Sequence, residues 1–274
     1  METLPSLDAH AHLDPARTAN ELANSGAVLA MTLSLDEAAL VVARREPYIA
    51  WGVGCHPRRR EAQESFNANL FRELAERTAI VGEIGLDAKS RVPLKIQLRT
   101  FRQMLDVLSD LPRLVSIHCD GEEEQVIKEL RRRPVTVPVL HGWRGLAKET
   151  REAVVLGCYF SIQAGIARHS KFRTLVPRER LLVETDHSYA SLPAAIPCRV
   201  EWVEYVVAEQ LGLGVKDVRY LVWQNLATIV HETGTQRLLP EPLAAILVKM
   251  RPARITIVPR AASCRSQTDV ARRC

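Results

Sequence analysis

The 274-residue sequence contains no apolar run near the ~18–20 residues that cross a bilayer. It also lacks a basic-then-apolar leader, because the opening METLPSLDAHAHLD places acids and histidines there. Both absences lead us to expect a cytoplasmic protein with no membrane partner. Its six cysteines, at 55, 119, 158, 198, 264 and 274, form no CxxC pair and show no regular spacing. That argues against a disulfide framework and against a cysteine-held zinc. No internal repeat is visible. Outside the C-terminus there is no charge excess either. Residues 251–274 hold six arginines against Asp269, which accounts for the whole net charge of +5, while the remaining 250 residues balance 31 basic against 31 acidic groups. Such a tail can neutralise phosphates or simply be solvated.

What is present is globular: 47% apolar and 25% charged residues exclude a disordered chain. Short apolar runs at 5–10, 27–33, 48–54, 79–85, 114–118, 137–141, 158–162 and 181–185 read as strands. Amphipathic segments lie between them. Thr18 with Glu21, and Ser34 with Glu37, are spaced to open helices as capping boxes, and Gly26 is placed to close the first helix. Pro93 suits the first turn of a helix over 94–109. Further helices are expected over 146–156, 199–211 and 215–231. Residues 163–180 offer little more than one short helix. Trp202, Tyr205 and Trp223 are expected in the core. Eight strands alternating with helices predict an α/β protein with a parallel sheet, at this length a (β/α)8 TIM barrel. An open doubly wound sheet is the alternative. The barrel is expected over 1–235. A C-terminal extension follows over 236–274, with one short helix possible at 236–250 and disorder from about 251.

Ligand-type residues sit where the strands stop. Alternation puts Asp8, His10 and His12 on one face of the first strand. Glu83, His118, His141, Glu184 and Asp186 close four others. In a barrel these ends share one mouth, so His10, His12, Glu83, His118, His141 and Asp186 would meet there as metal ligands. Six groups exceed what one tetrahedral ion takes. A carboxylate, best Glu83, can bridge two ions roughly 3.5–4 Å apart. The expected cofactors are therefore two divalent ions: magnesium, manganese and zinc all fit, and the histidines favour transition metals. Their surplus charge would hold an anionic substrate and a hydroxide.

Several motifs occur in order over about 7–231. They are Asp8-x-His10-x-His12-Leu13-Asp14, Gly54-Cys55-His56-Pro57, Val81-Gly82-Glu83-Ile84-Gly85-Leu86-Asp87, Gln97-x-x-x-Phe101, Ile117-His118, Leu140-His141-Gly142, Leu182-Val183-Glu184-Thr185-Asp186 and Asn225. In these the chain resembles the TatD family of metal-dependent hydrolases. The resemblance implies a TIM barrel with two divalent metals and magnesium- or manganese-dependent DNase activity, often at 3′ ends. By the same resemblance, His10, His12, Glu83 and Asp186 would hold one ion, and Glu83, His118 and His141 the other. Asp186 would also hold the attacking water or act as general base, and His56 would contact phosphate. Asp8 and Glu184 would orient the ligands from behind, Glu184 pointing away from Asp186.

There are departures from the family pattern. The position two after His118 is usually arginine in the family; here it is Asp120. Gly142-Trp143-Arg144-Gly145 replaces a Cys-Phe-Ser-Gly pattern, so Arg144 could supply the missing cation. His187-Ser188 follows Asp186 in place of Ala/Ser-Pro, and His187 could touch substrate. Arg58-Arg59-Arg60, Lys89 and Arg91 could guide a nucleic acid strand or form a solvated face. Trp143 could stack a base or pack in its loop. Cys55 and Cys119 read as small buried hydrophobes, and His169 and His231 lack ligand-like context.

The expected activity is two-metal phosphodiester hydrolysis, with single-stranded DNA or 3′ ends as substrate, because a barrel mouth suits a frayed end better than a closed duplex. Two alternatives remain. One is amide or ester hydrolysis of the amidohydrolase type, although the lysine such enzymes often carry on the fourth strand is missing. The other is a nuclease or binding subunit of a multi-protein system such as phage defence.

Overall fold

The strands alternate with helices and lie side by side in chain order. The computed structural model describes residues 4–23, 25–168, 170–189 and 200–250. β1 (Leu7–Ala11), β2 (Ala27–Ala30) and β3 (Ile49–Trp51) pair in parallel, as do β4 (Ile80–Asp87), β5 (Leu114–Asp120), β6 (Val137–His141), β7 (Tyr159–Ile162) and β8 (Leu181–Val183). Two seams join the runs. Val53 bridges to Val81 and His12 to Ser188. The Gly82 amide donates to Val53 O at 3.0 Å and the Asp186 amide to His10 O at 3.0 Å. The result is the closed (β/α)8 barrel, not the open sheet. β1 starts two residues later than its apolar run suggests. β4 and β5 run two residues further, which carries Asp87 and Asp120 to the mouth. β8 stops two residues earlier, so Glu184 already lies beyond the strand.

The helices are α1 (Ala19–Leu22), α2 (Leu35–Val41), α3 (Arg60–Glu64), α4 (Ala68–Ala75), α5 (Leu94–Leu108) and α6 (Glu123–Arg132), then α7 (Ala147–Val155), α8 (Ala164–Ala167), α9 (Ser170–Leu175), α10 (Val200–Leu211), α11 (Val215–Thr233) and α12 (Glu241–Lys249). Thr18 forms the complete reciprocal box with Glu21. Ser34 Oγ accepts from the Glu37 amide at 3.2 Å, but the Glu37 carboxylate caps Leu33 instead. Gly26 is left-handed (φ 73°) yet does not cap α1, which ends on Ala23. Residues 163–180 fold into two short helices and a 3₁₀ turn, more structure than their weak periodicity suggests.

α11 ties the amino-terminal end of the barrel together. Asn225 Nδ2 donates to Arg178 O and Leu181 O, both at 2.8 Å, and Trp223 Nε1 donates to Pro5 O at 2.8 Å. Trp223 is fully buried, as expected, but Trp202 and Tyr205 are 53% and 44% exposed. The reason lies in α10, where the two aromatics share the outer side with exposed Glu201 and Glu209, while Glu204 is buried against Arg219. The slimmer stripe of Val200, Val203, Val206 and Val207 is buried. The two aromatics stack on each other outside it, with Arg168 over Trp202. α12 buries Leu243 and Leu247. His169 and residues 251–274, with the basic tail, fall outside the described residues.

Candidate metal centre

Five imidazoles surround one buried carboxylate. Glu83, from β4, is 1% exposed. Its Oε2 lies 2.9 Å from His12 Nε2, 3.3 Å from His56 Nε2 and 3.5 Å from His10 Nε2. Its Oε1 lies 2.5 Å from His118 Nδ1 and 2.8 Å from His141 Nε2. Asp186 closes the open side, with Oδ1 3.8 Å from His10 Nε2 and 3.9 Å from His12 Nε2. The structure thus brings together all six sequence-derived ligand candidates and adds His56. Close approach of β4 to β5 makes this possible. At Gly85 (φ 143°), a Cβ would stand 2.1 Å from His118 O, so only glycine lets the two ligand-bearing strands meet.

The outer nitrogens decide which rings can bind a cation, since the ring proton sits where an acceptor waits. His12 Nδ1 donates to Met31 O at 3.1 Å, and His118 Nε2 to Asp87 Oδ2 at 2.7 Å. His141 Nδ1 faces Glu184 Oε1 at 3.4 Å. Each ring therefore aims its other nitrogen inward at Glu83, where losing a proton would free a lone pair for a cation. The inner nitrogens of His118 and His141 face each other at 3.1 Å and share Glu83 Oε1. His10 Nδ1 is bound to Ser116 Oγ at 2.7 Å, while its buried Nε2 has no hydrogen-bond partner. An orphaned nitrogen on His10 and three more gathered on one carboxylate are a donor set that fits a divalent metal. His56 is the opposite case. Its Nδ1 accepts from the Arg58 amide at 3.0 Å, which leaves the proton on Nε2. Although His56, Glu83 and His118 lie close enough to hold an ion together, His56 is built as a hydrogen-bond donor rather than a ligand.

Burial alone would raise Glu83, but His56, His141 and His118 hold its carboxyl well below the usual range. Burial would lower His118, yet the Glu83 carboxylate and hydrogen bonds to Asp87 and Glu83 outweigh it and raise the ring to about 9. His141 is raised for similar reasons, whereas His10 and His56 are lowered, chiefly by burial. A raised histidine stabilises the metal-free fold fully below its unfolded value of 6.5 and loses that contribution as pH climbs through about 9. For His118 this amounts to roughly 3 kcal/mol. Chelator-treated protein should therefore melt at lower temperature at pH 9.5 than at pH 6.5. A flat melting temperature over that window in calorimetry would contradict the assignment.

Asp8 holds backbone and hydroxyl groups of β1 and the Asp186 loop. Its oxygens take the His10 amide at 3.1 Å, the Thr185 amide at 3.1 Å and Thr185 Oγ1 at 2.5 Å, which anchors the Asp186 loop to β1. Glu184 accepts from Ser161 and from Gln163 Nε2, and backs His141. It does not point away from Asp186: Gln163 Nε2 bonds both carboxylates. Residues two apart share a side, so that expectation misapplied the alternation. Arg144 is exposed and borders the mouth beside His118, His141 and Asp186. His187 is half-buried near His12, and burial lowers its pKa. Trp143 is 4% exposed, donates to Thr150 Oγ1 and packs on Phe160, so it packs its loop and presents no face to a base. Cys55 and Cys119 are buried. The sequence reading gave no role to Asp87, Ser116 or Gln163. Asp87 carried a signal, because Glu83, Gly85 and Asp87 alternate on one face of β4.

A closed (β/α)8 barrel with histidines and carboxylates gathered at the carboxyl ends of its strands defines a hydrolase of the metal-dependent type. The chain belongs to the TatD-related DNase family, whose model matches residues 7–231. It is 30% identical over 183 residues to the 3′-5′ ssDNA/RNA exonuclease TatD of Erwinia tasmaniensis, covering 62% of this chain and 71% of that one. It is 24% identical over 253 residues to the putative deoxyribonuclease TATDN3 of Mus musculus, covering 80% and 86%. The solved structure of a TatD homologue from Escherichia coli K12 superposes with a TM-score of 0.66 at 20% identity, over 83% of this chain and 97% of that one. Among the described residues, no helix is long and apolar enough to cross a membrane.

Proposed function

We propose that the protein is a two-metal phosphodiesterase that shortens single-stranded or frayed DNA from its 3′ end. Residues 1–235 are its catalytic unit and 236–274 an extension. The observation that carries this reading is the convergence of inward ring nitrogens from His10, His12, His118 and His141 on Glu83. His10, His12, Glu83 and Asp186 would hold one ion, and Glu83, His118 and His141 the other. When bound, such ions polarise a phosphate and lower the pKa of a coordinated water. Asp186, the more exposed carboxylate, takes the proton of the attacking water. His56 Nε2–H donates to a phosphate oxygen. Arg144 meets the phosphate at the mouth in place of the cation missing at Asp120, and His187 flanks it. The names of the relatives support nucleic acid as substrate.

One observation favours a second reading, amide or ester hydrolysis: Asp120 and Glu123 border the same mouth and disfavour a phosphate there. End-labelled oligonucleotides with Mn²⁺ separate the two. The proposal expects 3′-labelled single strands to release label first and 5′-labelled ones to shorten stepwise. Turnover of carboxylic esters or amides with no oligonucleotide cleavage would favour the second reading.

A further inference from the structure

We propose that Arg58 is a positioning residue that fixes His118 through Asp87, an inference that rests on the metal reading of the centre. Asp87 is 1% exposed. Its Oδ2 receives His118 Nε2 at 2.7 Å and Arg58 Nε at 2.5 Å, and its Oδ1 receives the Lys89 amide at 2.7 Å. A carboxylate this buried needs a cation beside it to remain where His118 requires it. The cation comes from the loop after β3. Across the sheet, Asp87 stands in register with Asp120, so two carboxylates face each other at the ends of β4 and β5. Arg58 Nη2 reaches Asp120 Oδ2 at 3.4 Å, and Lys89 Nζ binds both Asp120 oxygens at 3.0 and 2.9 Å. Asp120 thus gives the arginine a second anchor.

Two of its three nitrogens are committed to these carboxylates, so the Arg58 side chain acts behind the site rather than on substrate. Its backbone amide, which pins His56, survives any side-chain substitution. A side-chain variant therefore isolates the His118 arm. The guanidinium is about half exposed, so its loss leaves no buried hole.

The test is Mn²⁺ titration of the full chain by calorimetry, with melting temperature and steady-state kinetics alongside. Arg58→Ala should weaken one of two Mn²⁺ affinities about 10- to 100-fold, the usual cost of losing such an outer partner, and leave the other within about twofold. Raising Mn²⁺ should restore kcat. Asp87→Asn should weaken the same ion, and the double variant should add little, because both act on one ring. Unchanged Mn²⁺ affinities with a raised KM would overturn the proposal and make Arg58 a substrate contact. A fall in melting temperature with both affinities reduced alike would overturn it in favour of a role in the fold. A wild-type chain that binds no divalent ion would overturn the metal reading itself, a result distinct from either.

Discussion

Glu83→Gln should lower kcat on oligonucleotide substrates by at least ~10³-fold, on the scale of removing the charge organiser of a two-metal site. The variant keeps the volume and most hydrogen-bonding capacity, so the core around it should fold. What it loses is the charge of the one described carboxylate whose two oxygens each face a different pair of these imidazoles. His10 and His12 lie on the Oε2 side, and His118 and His141 on the Oε1 side. Without that charge, two cations held by these groups would lack a shared anion to offset their repulsion. Excess Mn²⁺ should recover little, in contrast to the Arg58 variant, because the shared ligand is gone. Steady-state rates of wild type and variant on one labelled single strand check this. A loss below about tenfold would mean that Glu83 is structural.

Asp186→Asn should cost kcat about 10²- to 10⁴-fold, the range expected when a positioned general base is lost, with KM changed much less. Asp186 is the one non-glycine described residue with positive φ, at 52°. Its amide is held by His10 O at 3.0 Å and its Oδ2 by Gln163 at 3.3 Å. Leaving the strand in this conformation turns the carboxylate out towards the mouth, where 39% of the side chain stays exposed. Asparagine tolerates the left-handed region, so the variant removes the charge without adding the strain that alanine would. Single-turnover rates separate the chemical step from binding. A raised KM with normal kcat would make Asp186 a binding group only.

Much of this centre was legible because a barrel turns strand ends into neighbours. The pattern of apolar runs located β1 to β8; His10, Glu83, His118 and His141 were each the last ligand-type residue of a run, and His12 and Asp186 lay just beyond one. The alternation of Asp8, His10 and His12 was enough to place all three on one side. What the sequence could not show was the layer behind the ligands. Asp87 meets His118 because β4 continues two residues past its apolar run and pairs with β5 in that register. Ser116 and Met31 O back His10 and His12 through inter-strand geometry that no local spacing encodes. The same limit explains α10. Its aromatics lie on the side that carries Glu201 and Glu209, and its buried Glu204 is paired with Arg219, so burial followed fit against β8, α8 and α11 rather than side-chain size. Arg58 read as one member of a basic run, and only the two carboxylates that grip it distinguish it from Arg59 and Arg60.

The most direct test of the account is the metal content of the full chain after Mn²⁺ or Zn²⁺ loading and desalting, measured for wild type and Glu83→Ala by elemental analysis. The account expects close to two ions per wild-type chain and no more than one, weakly held, in the variant. A single ion in the wild type, or two retained without Glu83, would contradict a centre built around that shared carboxylate.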